Sequence, residues 1–157
     1  MRDIVLASET ILDVLARDGQ HTLLCSRTNP HCNIYSFEPE TRFFSLLEKN
    51  VREHGAKNVT ILQNAVGSRS RIAQVGPEDD QEDVEMITID SLNLVGCDYI
   101  RIGGAARPVL LGGINTIKRF RPSIMLEEDS QGAKSLLENM GYKFDGGLAT
   151  SLRPLQL

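Results

Sequence analysis

Cysteine, basic excess and long apolar runs are all scarce in this chain, and each shortage closes off a class of function. Cys25, Cys32 and Cys97 include no CxxC pair, so reduced, partly buried thiols are expected rather than a disulfide frame or a zinc site. His21, His31 and His54 are scattered, with no pair at metal-ligand spacing. The 17 basic side chains face 21 acidic ones, for a formal charge of -4. No surplus is left to neutralise phosphates, so no nucleic-acid footprint is evident. No apolar stretch approaches the roughly 18 residues a membrane helix needs, and Met1-Arg2-Asp3 opens no signal-like run. A cytoplasmic location without a membrane partner is the expectation. The carboxylates crowded into Pro77-Glu78-Asp79-Asp80-Gln81-Glu82-Asp83 repel one another and predict a solvated loop rather than a metal site.

What is present is an alternation of short apolar runs with helical segments, which predicts βα units around a mostly parallel sheet. A single domain over 1–157 is expected, since a chain of this length can bury roughly 70% of its unfolded surface. Strands are predicted over 10–15, 33–37, 58–63, 97–102, 123–126 and 142–144. Weaker extended segments follow at 68–75 and 86–89, and 64–67 reads as turn-prone. Phe43, Leu46, Leu47 and Val51 recur at helical spacing, so 40–54 is an amphipathic helix that Gly55 ends. Further helices are predicted over 20–27, over 109–119 despite Gly112-Gly113, and over 131–140. The segments 33–37, 58–63, 98–102 and 123–126 should be neighbouring inner strands with helices on both faces.

In open α/β sheets, ligands sit past the carboxyl ends of the strands, and there the sequence carries a recognisable series of blocks. Ile34-Tyr35-Ser36-Phe37-Glu38-Pro39, Leu47-Glu48-Lys49-Asn50-Val51, Asn58-Val59-Thr60-Ile61 and Asn64-Ala65-Val66-Gly67 come first. Ile87-Thr88-Ile89-Asp90-Ser91-Leu92, Tyr99-Ile100-Arg101-Ile102 and Arg121-Pro122-Ser123-Ile124-Met125-Leu126-Glu127 continue the series. Over about residues 10 to 145 the chain resembles the FkbM family of S-adenosylmethionine-dependent methyltransferases. The resemblance implies a Rossmann-like class I methyltransferase fold, with a central, mostly parallel sheet and helices on both faces. It also implies S-adenosylmethionine as cofactor, with Asp13, Ala16, Gly19, Glu38, Asn64 and Ala65 as the candidate binding residues. Glu38 would accept hydrogen bonds from the ribose hydroxyls; its alternative is an exposed acid at a helix N-terminus.

The chain departs from the family at two blocks. The glycine-rich block Asp-Val-Gly-Ala-Asn-x-Gly falls on Asp13-Val14-Leu15-Ala16-Arg17-Asp18-Gly19. Leu15 thus puts a branched side chain where the cofactor's methionine portion would lie, and Arg17 brings a cation towards a sulfonium. The block Lys-Ile-Asp-x-Glu-Gly falls on Arg101-Ile102-Gly103-Gly104-Ala105-Ala106, which has lost both acids that could orient a substrate hydroxyl or take a proton. Asp18, Asp98 or Glu127 are the candidates to substitute, and no catalytic residue is assigned. Glu127-Glu128-Asp129 otherwise reads as a solvated loop and helix cap.

The expectation is a degenerate methyltransferase domain that binds S-adenosylmethionine weakly or not at all and acts as a binding or interaction module. The alternative is an active O-methyltransferase on a small hydroxylated metabolite or sugar, because positioning alone carries much of methyl transfer. A Rossmann-type nucleotide regulator fits less well, since no GxGxxG follows the first strand. Substrate, protein partner and oligomeric state are not specified by the sequence.

Overall fold

The computed structural model describes residues 1–128 and 130–151; Asp129, placed by the sequence in a loop or helix cap, lies outside the described residues. In chain order the elements are α1 (Arg2–Leu6), β1 (Thr10–Val14), α2 (Gln20–Thr28), β2 (Asn33–Phe37), α3 (Thr41–Glu53) and β3 (Val59–Leu62). Then come β4 (Ala65–Val66), β5 (Arg71–Val75), β6 (Glu82–Ile87), β7 (Tyr99–Ile102), α4 (Ala106–Leu111) and α5 (Ile114–Phe120). The chain continues through β8 (Ser123–Leu126), α6 (Gln131–Asn139), β9 (Lys143–Asp145) and β10 (Leu148–Thr150). Among the described residues, seven strands form one sheet in the order β3-β2-β1-β7-β8-β10-β9. The first five run parallel, and β10 enters antiparallel to both its neighbours.

The strand pleat sorts the core into two halves. Alternate residues point to opposite faces, so Leu12, Val14, Phe37, Ile100, Ile102, Ile124 and Leu126 pack with Val109, Leu110, Ile117, Ala133 and Leu137 of α4, α5 and α6. Ile11, Ile34 and Tyr99 face the other way, against Val5 of α1 and Cys25 of α2. Each such side chain contributes roughly 1.5–3 kcal/mol by leaving water, which holds helices against both faces as the sequence predicts. Cys25, Cys32 and Cys97 are buried and form no disulfide, and burial pushes the Cys25 thiol up to about 12. Among the described residues no helix is long and apolar enough to cross a membrane.

The structure departs from the sequence reading at five places. β1 separates β2 from β7, and β3 is an edge strand rather than an inner one, consistent with its only partial burial. The single helix predicted over 109–119 is two helices broken at Gly112-Gly113. There a Cβ on Gly112 would sit 1.9 Å from the Gly67 carbonyl oxygen, so the chain trades helix continuity for close backbone approach. The turn-prone 64–67 segment contains β4, and Glu82 and Asp83 leave the acidic loop to begin β6; with β5 they form a small separate sheet. The last predicted strand is β9, while β10 returns unpredicted between it and β8. Finally, α1, at five residues, is too short to announce itself by periodicity.

Candidate functional site

Beneath the carboxyl ends of β1, β2 and β7 lies a layer of buried polar groups where an apolar core would be the default. Asp13 of β1 is fully buried; its Oδ1 accepts from Arg101 Nη1 at 2.9 Å and its Oδ2 from Thr22 Oγ1 at 2.6 Å. Thr22 Oγ1 lies 2.8 Å from Ser36 Oγ. Arg101 also donates to the Leu15 carbonyl oxygen and clasps Glu127 through both Nε and Nη2. A buried charge is tolerated only when paired in this way. Within this layer Asp13 and Arg101 hold the turn after β1 in place.

That turn keeps at positions 15 and 17 a backbone that suits glycine or asparagine, without either residue. Leu15 and Arg17 sit in the left-handed region, at φ 61° and 53°, where a Cβ costs roughly 1–2 kcal/mol per residue. Surrounding contacts hold the shape. Ala16 N–H donates to the Phe37 carbonyl at 2.9 Å, Gly19 N–H to the Ala16 carbonyl at 2.9 Å, and Asn50 Nδ2 to the Asp18 carbonyl at 2.7 Å. Arg17 N–H donates to Glu38 Oε2 at 2.8 Å, and Glu38 Oε1 accepts the Glu40 N–H at 3.0 Å. Both oxygens of Glu38 are thus engaged by backbone, and its side chain is sealed from solvent. Burial raises its pKa above the usual carboxylate value, opposed by those two hydrogen bonds.

Over the turn opens a cleft of about 590 Å³ lined by Ala16, Arg17, Asp18, Gln20, His21, Leu24, Phe43, Leu46, Arg101 and Glu127. Arg17 stands 5.5 Å above the Phe43 ring, and Arg42 covers the same ring at 4.5 Å. The Arg17 cation therefore rests on an aromatic face. His21 Nε2 is 3.3 Å from the Tyr99 hydroxyl, and desolvation lowers its pKa against the pull of Asp13. The imidazole is accordingly neutral at pH 7.

Of the residues singled out in the sequence, Ala16 lines the cleft. Asp13 lies buried beneath it, and Glu38 is bound into the turn. Gly19, at φ 84°, begins α2, where an added Cβ would meet Leu47 Cδ1 at 2.6 Å. Asn64 and Ala65 are not brought to the cleft: Asn64 bonds Glu85, and Ala65 packs with Ala73 and Val84 in the small sheet. Asp18 and Glu127 line the cleft. Asp98 instead accepts the N–H groups of Glu9 and Thr10 at the start of β1, at the opposite end of the sheet. His21, Leu24, Phe43 and Leu46 went unnoticed as site residues; their signal was the outward helical spacing of 21 with 24 and of 43 with 46. Among the described residues no cluster of three or more His, Cys, Asp or Glu side chains could hold a metal ion.

No family model matches the sequence, and a search of curated proteins gives no match. Solved structures are similar in fold. A methyltransferase FkbM from Methylobacillus flagellatus KT superposes with a TM-score of 0.64 at 18% identity, over 76% of this chain and 32% of that one. An rRNA methylase from Streptococcus thermophilus does so at 0.60 and 10% identity, over 97% and 94% of the two chains. The N-terminal domain of EvdMO1, solved with SAH bound, gives 0.53 at 19%, over 92% and 51%. The chain spans about a third of the length of the FkbM structure and about half that of EvdMO1. Its strand order and helices on both faces give it the Rossmann-like class I methyltransferase fold that these neighbours share.

Proposed function

We propose that this chain is a methyltransferase-fold domain in which cofactor binding is weak or lost, a pseudoenzyme that acts as a binding or interaction module. The observation that carries the reading is the Glu38 carboxylate. The acid that ends β2, expected to take ribose hydroxyls, is fully buried and spends both oxygens on the Arg17 and Glu40 N–H groups. S-adenosylmethionine does not fit the residues around it. Leu15 fills the gap between the turn after β1 and the loop after β7, its Cδ2 lying 3.2 Å from where a Cβ on Gly104 would stand. A Cβ on Gly103 would lie 2.8 Å from the Leu15 carbonyl oxygen, so the lost acid at that position has no room under the present turn. Asn64 and Ala65 are committed to the small sheet. A cytoplasmic setting goes with this reading and is supported by three buried cysteines that form no disulfide.

Calorimetric titration with S-adenosylmethionine and S-adenosylhomocysteine tests the proposal. Heat no larger than that of dilution is the expected result. Low-micromolar binding, together with methyl transfer to a panel of hydroxylated metabolites, would replace it with the active O-methyltransferase reading.

A further inference from the structure

The outward stripe of α2 runs through two cavities. Gln20, His21 and Leu24 line the 590 Å³ cleft, and Leu24, Arg27 and Thr28 line a second cavity of about 380 Å³ completed by Met1, Arg2 and Val5. Leu24 is common to both. The two therefore follow the whole of α2, nine residues or about 14 Å at 1.5 Å per residue, between α3 on one side and α1 on the other. Leu24 and Leu46 are 47% and 45% exposed, although they lie on neighbouring helices with Phe43 beside them. Large half-exposed side chains gathered along one groove are what a protein-docking site presents.

The charges of the groove are lopsided once their partners are counted. Glu127 is neutralised by Arg101, while Asp18, which takes the side-chain amide of Gln20, keeps a single negative charge. Against it stand three outer arginines, since among the described residues no ion pair engages Arg2, Arg17 or Arg27. A groove about two and a half helical turns long, with Leu24, Phe43 and Leu46 clustered at its middle and cations free of ion pairs at both ends, fits one occupant by shape and by charge.

We infer that the groove along α2 docks an acidic amphipathic helix of a partner protein, with leucine-like anchors over Leu24, Leu46 and Phe43 and carboxylates over Arg2, Arg17 and Arg27. The inference rests on the binding-module reading and gives it a partner. The two fail separately, since cofactor calorimetry tests the closed turn and peptide titration tests the groove.

The probe is a synthetic helical peptide of about sixteen residues with leucines at i, i+3, i+4 and i+7 and glutamates between them; its control carries lysine for glutamate. Fluorescence anisotropy should show the glutamate peptide binding at least about tenfold tighter than the control, with amide shifts centred on Leu24, Arg27, Phe43 and Leu46. Leu24→Ser with Leu46→Ser should weaken it about tenfold or more. Both side chains are half-exposed, and an unchanged circular dichroism spectrum confirms folding. Arg27→Glu should narrow or invert the preference between the two peptides. Equal affinity for both peptides, no saturable binding at about 1 mM, or shifts on another face would overturn the inference. So would self-association blocked by the leucine changes, which makes a second copy the occupant, or binding only to phosphatidylserine vesicles.

Discussion

Arg17 holds a left-handed backbone with an exposed side chain, so its strain is offset mainly by the Glu38 hydrogen bond and the Phe43 face. Arg17→Gly should remove the strain and raise stability by about 0.5–1 kcal/mol in urea unfolding. Arg17→Ala, which keeps the Cβ, should not. Glu38→Gln leaves one backbone N–H facing an amide donor, and about 1–3 kcal/mol of stability should be lost. His21 supplies the pH dependence. Its folded pKa lies below 6.5 because burial disfavours the imidazolium, so the unfolded chain binds the proton first as pH falls. Stability contributed by neutral His21 is complete above 6.5 and is lost on acidification through the folded value. His21→Gln should flatten that part of a plot of unfolding free energy against pH.

At the scale of elements, Arg101 ties β1 to β7 and to the residue after β8 through Asp13 and Glu127. Arg101→Ala would leave Asp13 buried without a cation and should cost about 3–5 kcal/mol, read as a lower denaturant midpoint with an unchanged slope. Elsewhere, two elements are joined by a carboxylate rather than by apolar packing. Glu82 at the start of β6 accepts the Thr41 N–H and hydroxyl, which caps α3 from outside its own sequence, while Asp90 takes the N–H groups of Asn115 and Thr116 at the start of α5. Such caps cross between elements distant in the chain, so the i to i+3 spacing of a local capping box gives no sign of them.

For the molecule as a whole, the proposed reading makes cofactor binding and chemistry two separate losses. Leu15→Gly with Arg17→Asn should open the turn, because glycine and asparagine tolerate the left-handed backbone and the branched side chain over Gly104 is gone. Methyl transfer should still be absent with radiolabelled S-adenosylmethionine. Gly103 and Ala105 supply no carboxylate, and such a group is worth on the order of 10²–10⁴ in rate. Turnover by the double variant would show that the acids were dispensable. Turnover by the unaltered chain would remove the pseudoenzyme reading.

The sequence by itself determined the α/β class, the parallel inner strands and the long amphipathic helix of residues 41–53, because these depend on the local period of apolar side chains. It also located both blocks that depart from the FkbM pattern, since a changed glycine or carboxylate is visible at its own position. Only the tertiary structure decided that β1 lies between β2 and β7, that β3 stands at the edge, and that Gly112 must break a helix to admit the Gly67 carbonyl. The structure likewise set the Glu38 carboxylate against the Arg17 and Glu40 N–H groups, and gathered Leu24, Phe43 and Leu46 around one groove. These facts depend on contacts between residues far apart in the chain, and hydrophobic periodicity carries no information about which distant group a side chain will meet.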